Sequence, residues 1–153
     1  MQRDATKIDI SITDQTLTLK RGDQTLRSYP ISSSRFGLGT EPGSFKTPTG
    51  NFRISEKIGA GMPHETIFRA RIALGPGDPL PDTEDFIMSR ILWLDGADED
   101  NANTRERYIY IHGTKHAHTI GMPDSHGCIR MRNADVAELF DLVDEGTPVT
   151  IRA

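Results

Sequence analysis

The chain has 153 residues, of which 35% are hydrophobic and 26% charged, with one cysteine; this describes one soluble domain, large enough to fold around a single core without a disulfide or a structural metal. A net charge of -4 without any block of Lys and Arg excludes the stripe that neutralises successive phosphates of a nucleic acid. No stretch approaches the roughly 18 consecutive apolar residues of a membrane span, and the start, taken as native from Met1, has no apolar run of the secretory kind, so a cytosolic protein and an exported one both stay open.

From Ile8 the sequence alternates, with Ile8, Ile10 and Ile12 on one face and Asp9, Ser11 and Thr13 on the other, the period of a half-buried strand. Asp14 and Gln15 make a turn, Leu17 and Leu19 resume the alternation, and a third strand over 26–31 tolerates Pro30 only near an edge or an end. Residues 32–50 carry Ser33, Ser34, Gly37, Gly39, Pro42, Gly43 and Pro48, a density of breakers that predicts a long ordered loop closing at Thr47-Pro48-Thr49-Gly50. A strand follows over 51–54. Residues 56–86 are again rich in Gly and Pro and show no period.

Two clearer strands cover 87–94, ending in the turn Asp95-Gly96, and 107–111, where Tyr108 and Tyr110 oppose Ile109 and Ile111. Bulk on both faces predicts that the second is central and covered on each side. Between them, 97–106 is polar and acidic, a surface loop. One helix begins at Asn133, read as its N-cap, with Asp135 in the first turn and Val136, Leu139, Phe140 and Val143 forming one apolar stripe. Gly146 and Pro148 stop it before a last strand over 149–151. Many short strands with one late amphipathic helix predict a mainly β domain, a sandwich or barrel-like arrangement spanning 1–153.

The sole cysteine lies in Ser125-His126-Gly127-Cys128-Ile129-Arg130-Met131. Free cysteine is most often an inert buried residue. Here an imidazole precedes it by two positions and a guanidinium follows by two, an electropositive setting that favours the thiolate. The unperturbed thiol pKa is about 8.5, so a nearby base is chemically necessary at neutral pH. His112, at the end of the predicted central strand, is either that base or a residue capping the strand by a local hydrogen bond. His112, His116, His118, His126 and Cys128 are also residue types that ligate zinc, and His116-Ala117-His118 has a spacing seen in zinc sites.

The pairing of His112-Gly113-Thr114 with Ser125-His126-Gly127-Cys128-Ile129-Arg130 resembles the catalytic signature of the L,D-transpeptidase catalytic domain family, bacterial enzymes that remodel peptidoglycan. Thr47-Pro48-Thr49-Gly50-Asn51-Phe52, Ile120-Gly121, Pro123 and Asn133-Ala134-Asp135-Val136 extend the likeness over most of the chain. The resemblance implies an L,D-transpeptidase-like fold and a cysteine acyl transferase that needs no metal or other cofactor. Its nucleophile maps onto Cys128, its general base onto His112, and the group orienting that base onto the carbonyl of Gly113, with His126 supporting. The N–H groups of His126, Gly127 and Cys128 are the implied oxyanion donors. Arg130 is expected to hold the cysteine loop rather than bind a substrate carboxylate, and Ser125 and Thr114 to support the turn backbone.

The implied partners are a peptidoglycan tetrapeptide donor and an amine acceptor, with carbapenem-type inhibitors acylating the same sulfur. Hydrolysis of the same acyl-enzyme would make an L,D-carboxypeptidase. A zinc-dependent hydrolase and a noncatalytic peptidoglycan-binding domain are the readings from other classes. The family's substrate lies in the periplasm or cell envelope, whereas the sequence carries no export signal that can be read. Residues 56–86, with His64, Arg69 and Arg71, are expected to overhang the site as a lid or wall.

Overall fold

The computed structural model describes residues 6–81 and 85–153. Positions 1–5, at the start of the expected domain, and 82–84, within the expected lid, lie outside the described residues. Strands β1 (Thr6–Ser11), β2 (Thr16–Arg21) and β3 (Gln24–Pro30) form the antiparallel meander that the alternation predicts. Ile8, Ile10, Leu17 and Leu19 are fully buried while Lys7 and Arg21 face water. The last strand, β10 (Pro148–Arg152), lies parallel to β1 and antiparallel to β4 (Gly50–Ile58), joining the two halves of the chain.

Beyond β4 comes β7 (Ile87–Gly96), the longest strand, and the short hairpin of β5 (Ile67–Arg69) and β6 (Ile72–Ala73) lies beside it. Strand β8 (Tyr110–Gly113) pairs antiparallel with β7 and parallel with β9 (Ile129–Met131). The strand path runs from β3 at one edge to β6 at the other, so the mainly β fold is an open sheet rather than a closed barrel.

Several boundaries differ from the sequence expectation. Asp95 and Gly96 finish β7 instead of turning, and the strand expected over 107–111 starts only at Tyr110. Tyr108 sits at φ +56, outside the extended range of a regular strand, and its N–H closes a turn onto the carbonyl of Arg105. His112 consequently lies inside the strand rather than after it. Residues 56–86 contain the end of β4 and the β5–β6 hairpin, whose period is hidden because each strand has at most three residues.

Helix α1 (Asn133–Leu142) forms where the stripe predicts, but Arg132, in extended conformation, is its N-cap and makes no side-chain capping bond. The expected cap, Asn133, is already helical, and its carbonyl accepts a hydrogen bond from Ser89 Oγ at 3.0 Å. That bond ties the first turn to β7 but does not cap it, since a cap must accept the free N–H groups of the helix start. Val143 is the C-cap, and Lys57 Nζ donates to its carbonyl at 2.7 Å, supplying the cation that a helix C-terminus favours.

Alternation along β8 and β9 separates two faces. Ile109, Ile111, Ile129 and Met131 join Val136, Leu139 and Phe140 in the main core. Tyr110 faces the other way, into a smaller cluster with Phe68, Ile91 and Trp93 that Cys128 packs against. Leu139 is fully buried where helix meets sheet. Leu139→Ala should lower unfolding free energy by about 2–5 kcal/mol, read as a drop in the urea midpoint at unchanged slope.

Candidate active site

The parallel pairing of β8 with β9 sets Ile111 level with Ile129 and His112 level with Arg130. Extended one residue back, that register sets Tyr110 level with Cys128, and the Tyr110 N–H donates to Cys128 Sγ at 3.3 Å. Because side chains alternate, Tyr110, His112, Cys128 and Arg130 share one face of the strand pair. Strand geometry then puts the backbones of His112 and Cys128 about 8 Å apart, a span that two side chains projecting to the same side bridge.

The loop before Cys128 is held from several directions. Ser125 Oγ donates to the Cys128 carbonyl at 2.6 Å and accepts the Gly127 N–H at 3.2 Å. Thr47, from the Thr-Pro-Thr-Gly stretch, donates through Oγ1 to the Gly127 carbonyl at 3.0 Å and accepts the Ser34 N–H. Ser32 bridges to Arg130 and Ser34 to Ser125, so the expected long loop is ordered by pairing with the cysteine segment. Gly127 has φ +120, where a side chain would be strained, and an added Cβ would also lie 3.3 Å from the Lys46 carbonyl.

The two histidines occupy different environments. His112 is buried, and its Nδ1 lies 2.5 Å from the Gly113 carbonyl. A carbonyl only accepts, so Nδ1 carries the proton and Nε2 keeps its lone pair. His126 is partly exposed, stacked on Phe36 and tilted against Phe45. Its Nε2 lies 2.7 Å from Arg35 Nη2. A guanidinium only donates, so this nitrogen's lone pair is engaged, and Nδ1–H faces Asp85 Oδ2 at 3.9 Å.

Electrostatics overturns one expectation. Arg130 is buried, but its charge is taken up by Asp85 Oδ2 at 3.0 Å and Asp124 Oδ2 at 2.8 Å. Burial pushes the Cys128 thiol up to about 12, outweighing the Tyr110 N–H, Arg130 and Arg107, which all pull it down. The thiol donates to the Tyr108 carbonyl at 3.4 Å. Burial likewise pushes His112 below the ordinary imidazole value, against opposing pulls from Asp85 and the Gly113 carbonyl. The resting pair is a neutral thiol and a neutral imidazole, not the thiolate that local charges alone suggest.

Of the remaining expected residues, Thr114 is buried and accepts the His116 N–H at 3.0 Å, a turn role. The Gly127 N–H is already bonded to Ser125, so among the implied oxyanion donors it is partly committed. His116 and His118 lie around a short 3-10 turn with rings 5.9 Å apart, and among the described residues no group of three His, Cys, Asp or Glu converges on a metal position. Arg71 donates to Tyr110 Oη at 3.0 Å with its guanidinium 5.0 Å from the rings of Trp93 and Tyr108. The hairpin that carries Arg71 thereby packs on the cluster containing Cys128. Arg69 instead donates to the Leu80 carbonyl, and His64 is exposed.

Sequence reasoning missed Arg35, Asp85, Tyr108 and Asp124. Asp124 and Arg35 border segments that it did single out, but nothing local marks Asp85, 45 positions before Arg130, as its partner. Arg35, Asp85, Thr119, Asp124, His126 and Arg130 line a polar cavity of about 250 Å³, with His116 and His118 at its wall.

Comparison with known proteins identifies the arrangement. The family profile of YkuD, the L,D-transpeptidase catalytic domain, matches residues 5–151. A Bacillus subtilis (strain 168) protein named as the L,D-transpeptidase YkuD is 33% identical over 144 residues, covering 94% of this chain and 64% of that protein. The chain therefore spans less than two thirds of that relative's length. Among solved structures, an L,D-transpeptidase from Mycobacterium smegmatis is similar with a TM-score of 0.63 at 22% identity, over 97% of this chain and 59% of that one. The L,D-transpeptidase LdtMt1, solved in complex with imipenem, gives 0.62 at 23% identity with the same coverage. At these identities the solved structures establish the shared fold.

With the thiol held near 12, alkylation of Cys128 by iodoacetamide in the free protein should keep accelerating past pH 10 without a plateau. A rate that levels off below pH 8 would show a thiolate already formed at rest.

Proposed function

The chain belongs to the L,D-transpeptidase catalytic domain family, and we propose that it is a cysteine-dependent L,D-transpeptidase acting on peptidoglycan tetrapeptide stems. The observation that supports this most directly is the strand register that presents His112 and Cys128 on one face, with the His112 tautomer set by the Gly113 carbonyl.

In this reading Cys128 Sγ attacks the amide carbonyl between the L-centre of a diamino acid, meso-diaminopimelate, and a terminal D-alanine. His112 Nε2 takes the thiol proton as the sulfur turns from the Tyr108 carbonyl, and the Tyr110 N–H stays on the sulfur to stabilise developing negative charge. His112 is the better base of the two because its Nε2 lone pair is open, whereas that of His126 is engaged by Arg35. The high resting thiol pKa means that proton transfer accompanies attack instead of preceding it.

Negative charge on the tetrahedral oxygen falls to the main-chain N–H groups around Cys128, of which that of Gly127 must be shared with Ser125. Protonated His112 then delivers its proton to the departing D-alanine amine. The thioester is resolved by an acceptor amine, giving a cross-link, or by water, giving L,D-carboxypeptidase activity; both products arise from one acyl-enzyme. Carbapenems would acylate the same sulfur, as the imipenem complex of LdtMt1 suggests. The substrate class places the reaction in the cell envelope, and among the described residues no helix is long and apolar enough to cross a membrane. The β5–β6 hairpin, latched by Arg71, forms one wall of the site and contributes to the burial of the thiol.

Incubation with a disaccharide tetrapeptide, with and without an acceptor amine, should give a thioester adduct by intact mass with release of D-alanine. Cys128→Ala should abolish the adduct in a folded protein, and His112→Ala should slow its formation by about 10²–10⁴-fold. His126→Ala should slow it less; the reverse order would make His126 the base. Absence of any adduct from folded wild-type protein with either tetrapeptide or imipenem would favour a binding-only domain.

A further inference from the structure

Two guanidiniums reach the polar cavity beside Cys128, and only one of them is saturated. Arg130 is buried at its floor and holds two carboxylates, Asp85 and Asp124. Those two carboxylates take up the Arg130 charge, so the floor offers an incoming anion no free cation, while Arg35 acts on Asp124 from the rim without an ion-pair contact. Arg35 stands at the exposed rim. Among the described residues no carboxylate lies within ion-pair distance of it, and its one side-chain partner is the neutral nitrogen Nε2 of His126 at 2.7 Å. A guanidinium presents five N–H donors, so most of the Arg35 fork is unused by the protein.

Its placement is built in. The residues before it, Ser32 to Ser34, are buried and bridge to Arg130 and Ser125, and the Arg35 N–H donates to the Ser125 carbonyl at 3.1 Å. The side chain then lies along Phe36, with its guanidinium carbon 5.4 Å from the ring centroid, and its tip meets the His126 ring two residues before the nucleophile. A cation held this way has already given up much of the freedom that a loose arginine surrenders on binding. The cavity, about 250 Å³, admits a carboxylate with the carbon that bears it.

We propose that Arg35 is the specificity-determining residue that receives a carboxylate of the donor peptide through its planar fork. The inference rests on the function proposed above, whose donor carries a carboxylate on the terminal D-alanine and others along the stem. With Arg130 already held by its two carboxylates, Arg35 is the guanidinium left to receive that carboxylate, and the contact with His126 fixes the bound end relative to the cysteine loop. Arg130, by contrast, is a positioning residue that anchors the loop through Asp124.

The test compares wild-type protein, Arg35→Gln and Arg35→Lys as folded full chains on three tetrapeptide donors. One has free carboxyls, one has only the terminal D-alanine carboxyl amidated, and one has only the internal carboxyls amidated. On the free donor, Arg35→Gln should raise KM at least about tenfold with kcat within about twofold, and Arg35→Lys should recover part of the loss. Wild-type protein should lose a similar factor on one amidated donor, and there Arg35→Gln should cause no further loss, which identifies the carboxylate recognised. An equal loss on all three donors, or a loss confined to kcat, would show that Arg35 merely props His126 and would overturn the inference. Wild-type protein that forms no thioester with any donor would instead overturn the proposed function itself, and the inference with it.

Discussion

The site depends on the parallel pairing of β8 with β9. These two short strands lie 16 residues apart in the chain, between Gly113 and Ile129, yet their register decides which side chains share a face. A slip of either strand by one residue would turn its own polar side chains, His112 of β8 or Arg130 of β9, into the main core and bring its isoleucine out. What prevents the slip is hydrophobic: the isoleucines and Met131 are buried under α1, and exchanging them for an imidazole, a thiol and a guanidinium would leave polar groups without partners in that core.

Around this pair the polar groups are arranged to keep buried charge paired. Arg130 is held by the largely buried Asp85 and by the more exposed Asp124, so its buried charge is not left unpaired. Asp85, one of those partners, pushes the Cys128 thiol up and so offsets part of the stabilisation that Arg130 gives to a thiolate. Burial then dominates both titrating partners, raising the thiol and lowering the imidazole, so the pair rests uncharged.

The backbone also departs from ordinary geometry close to the sulfur. Tyr108 adopts φ +56, and its carbonyl accepts the thiol, while Gly127 adopts φ +120 on the other side of Cys128. Positive φ at an aromatic residue costs of order 1–3 kcal/mol, supplied by the surrounding structure. Here the surroundings are Trp93, whose ring lies 5.8 Å from that of Tyr108, and the Arg71 guanidinium. The hairpin, the strand and the loop are thus braced against one another at Cys128.

Strand and helix content was legible in the sequence wherever apolar residues recur with a clear period: β1, β2, β7 and the stripe of α1 lie where alternation or helical spacing puts them, within a few residues. The motif at 125–130 and the strand residue His112 were legible as candidate chemistry because the chain has a single cysteine and the neighbours of both residues are specific. Periodicity is a local property, so it did not reveal the β5–β6 hairpin or the late start of β8, each of which is set by a distant partner. The protonation state at rest was equally out of reach. It turns on Asp85 meeting Arg130 and on how much water the fold excludes from Cys128, and both are decided by residues far apart in the chain that only tertiary packing brings together.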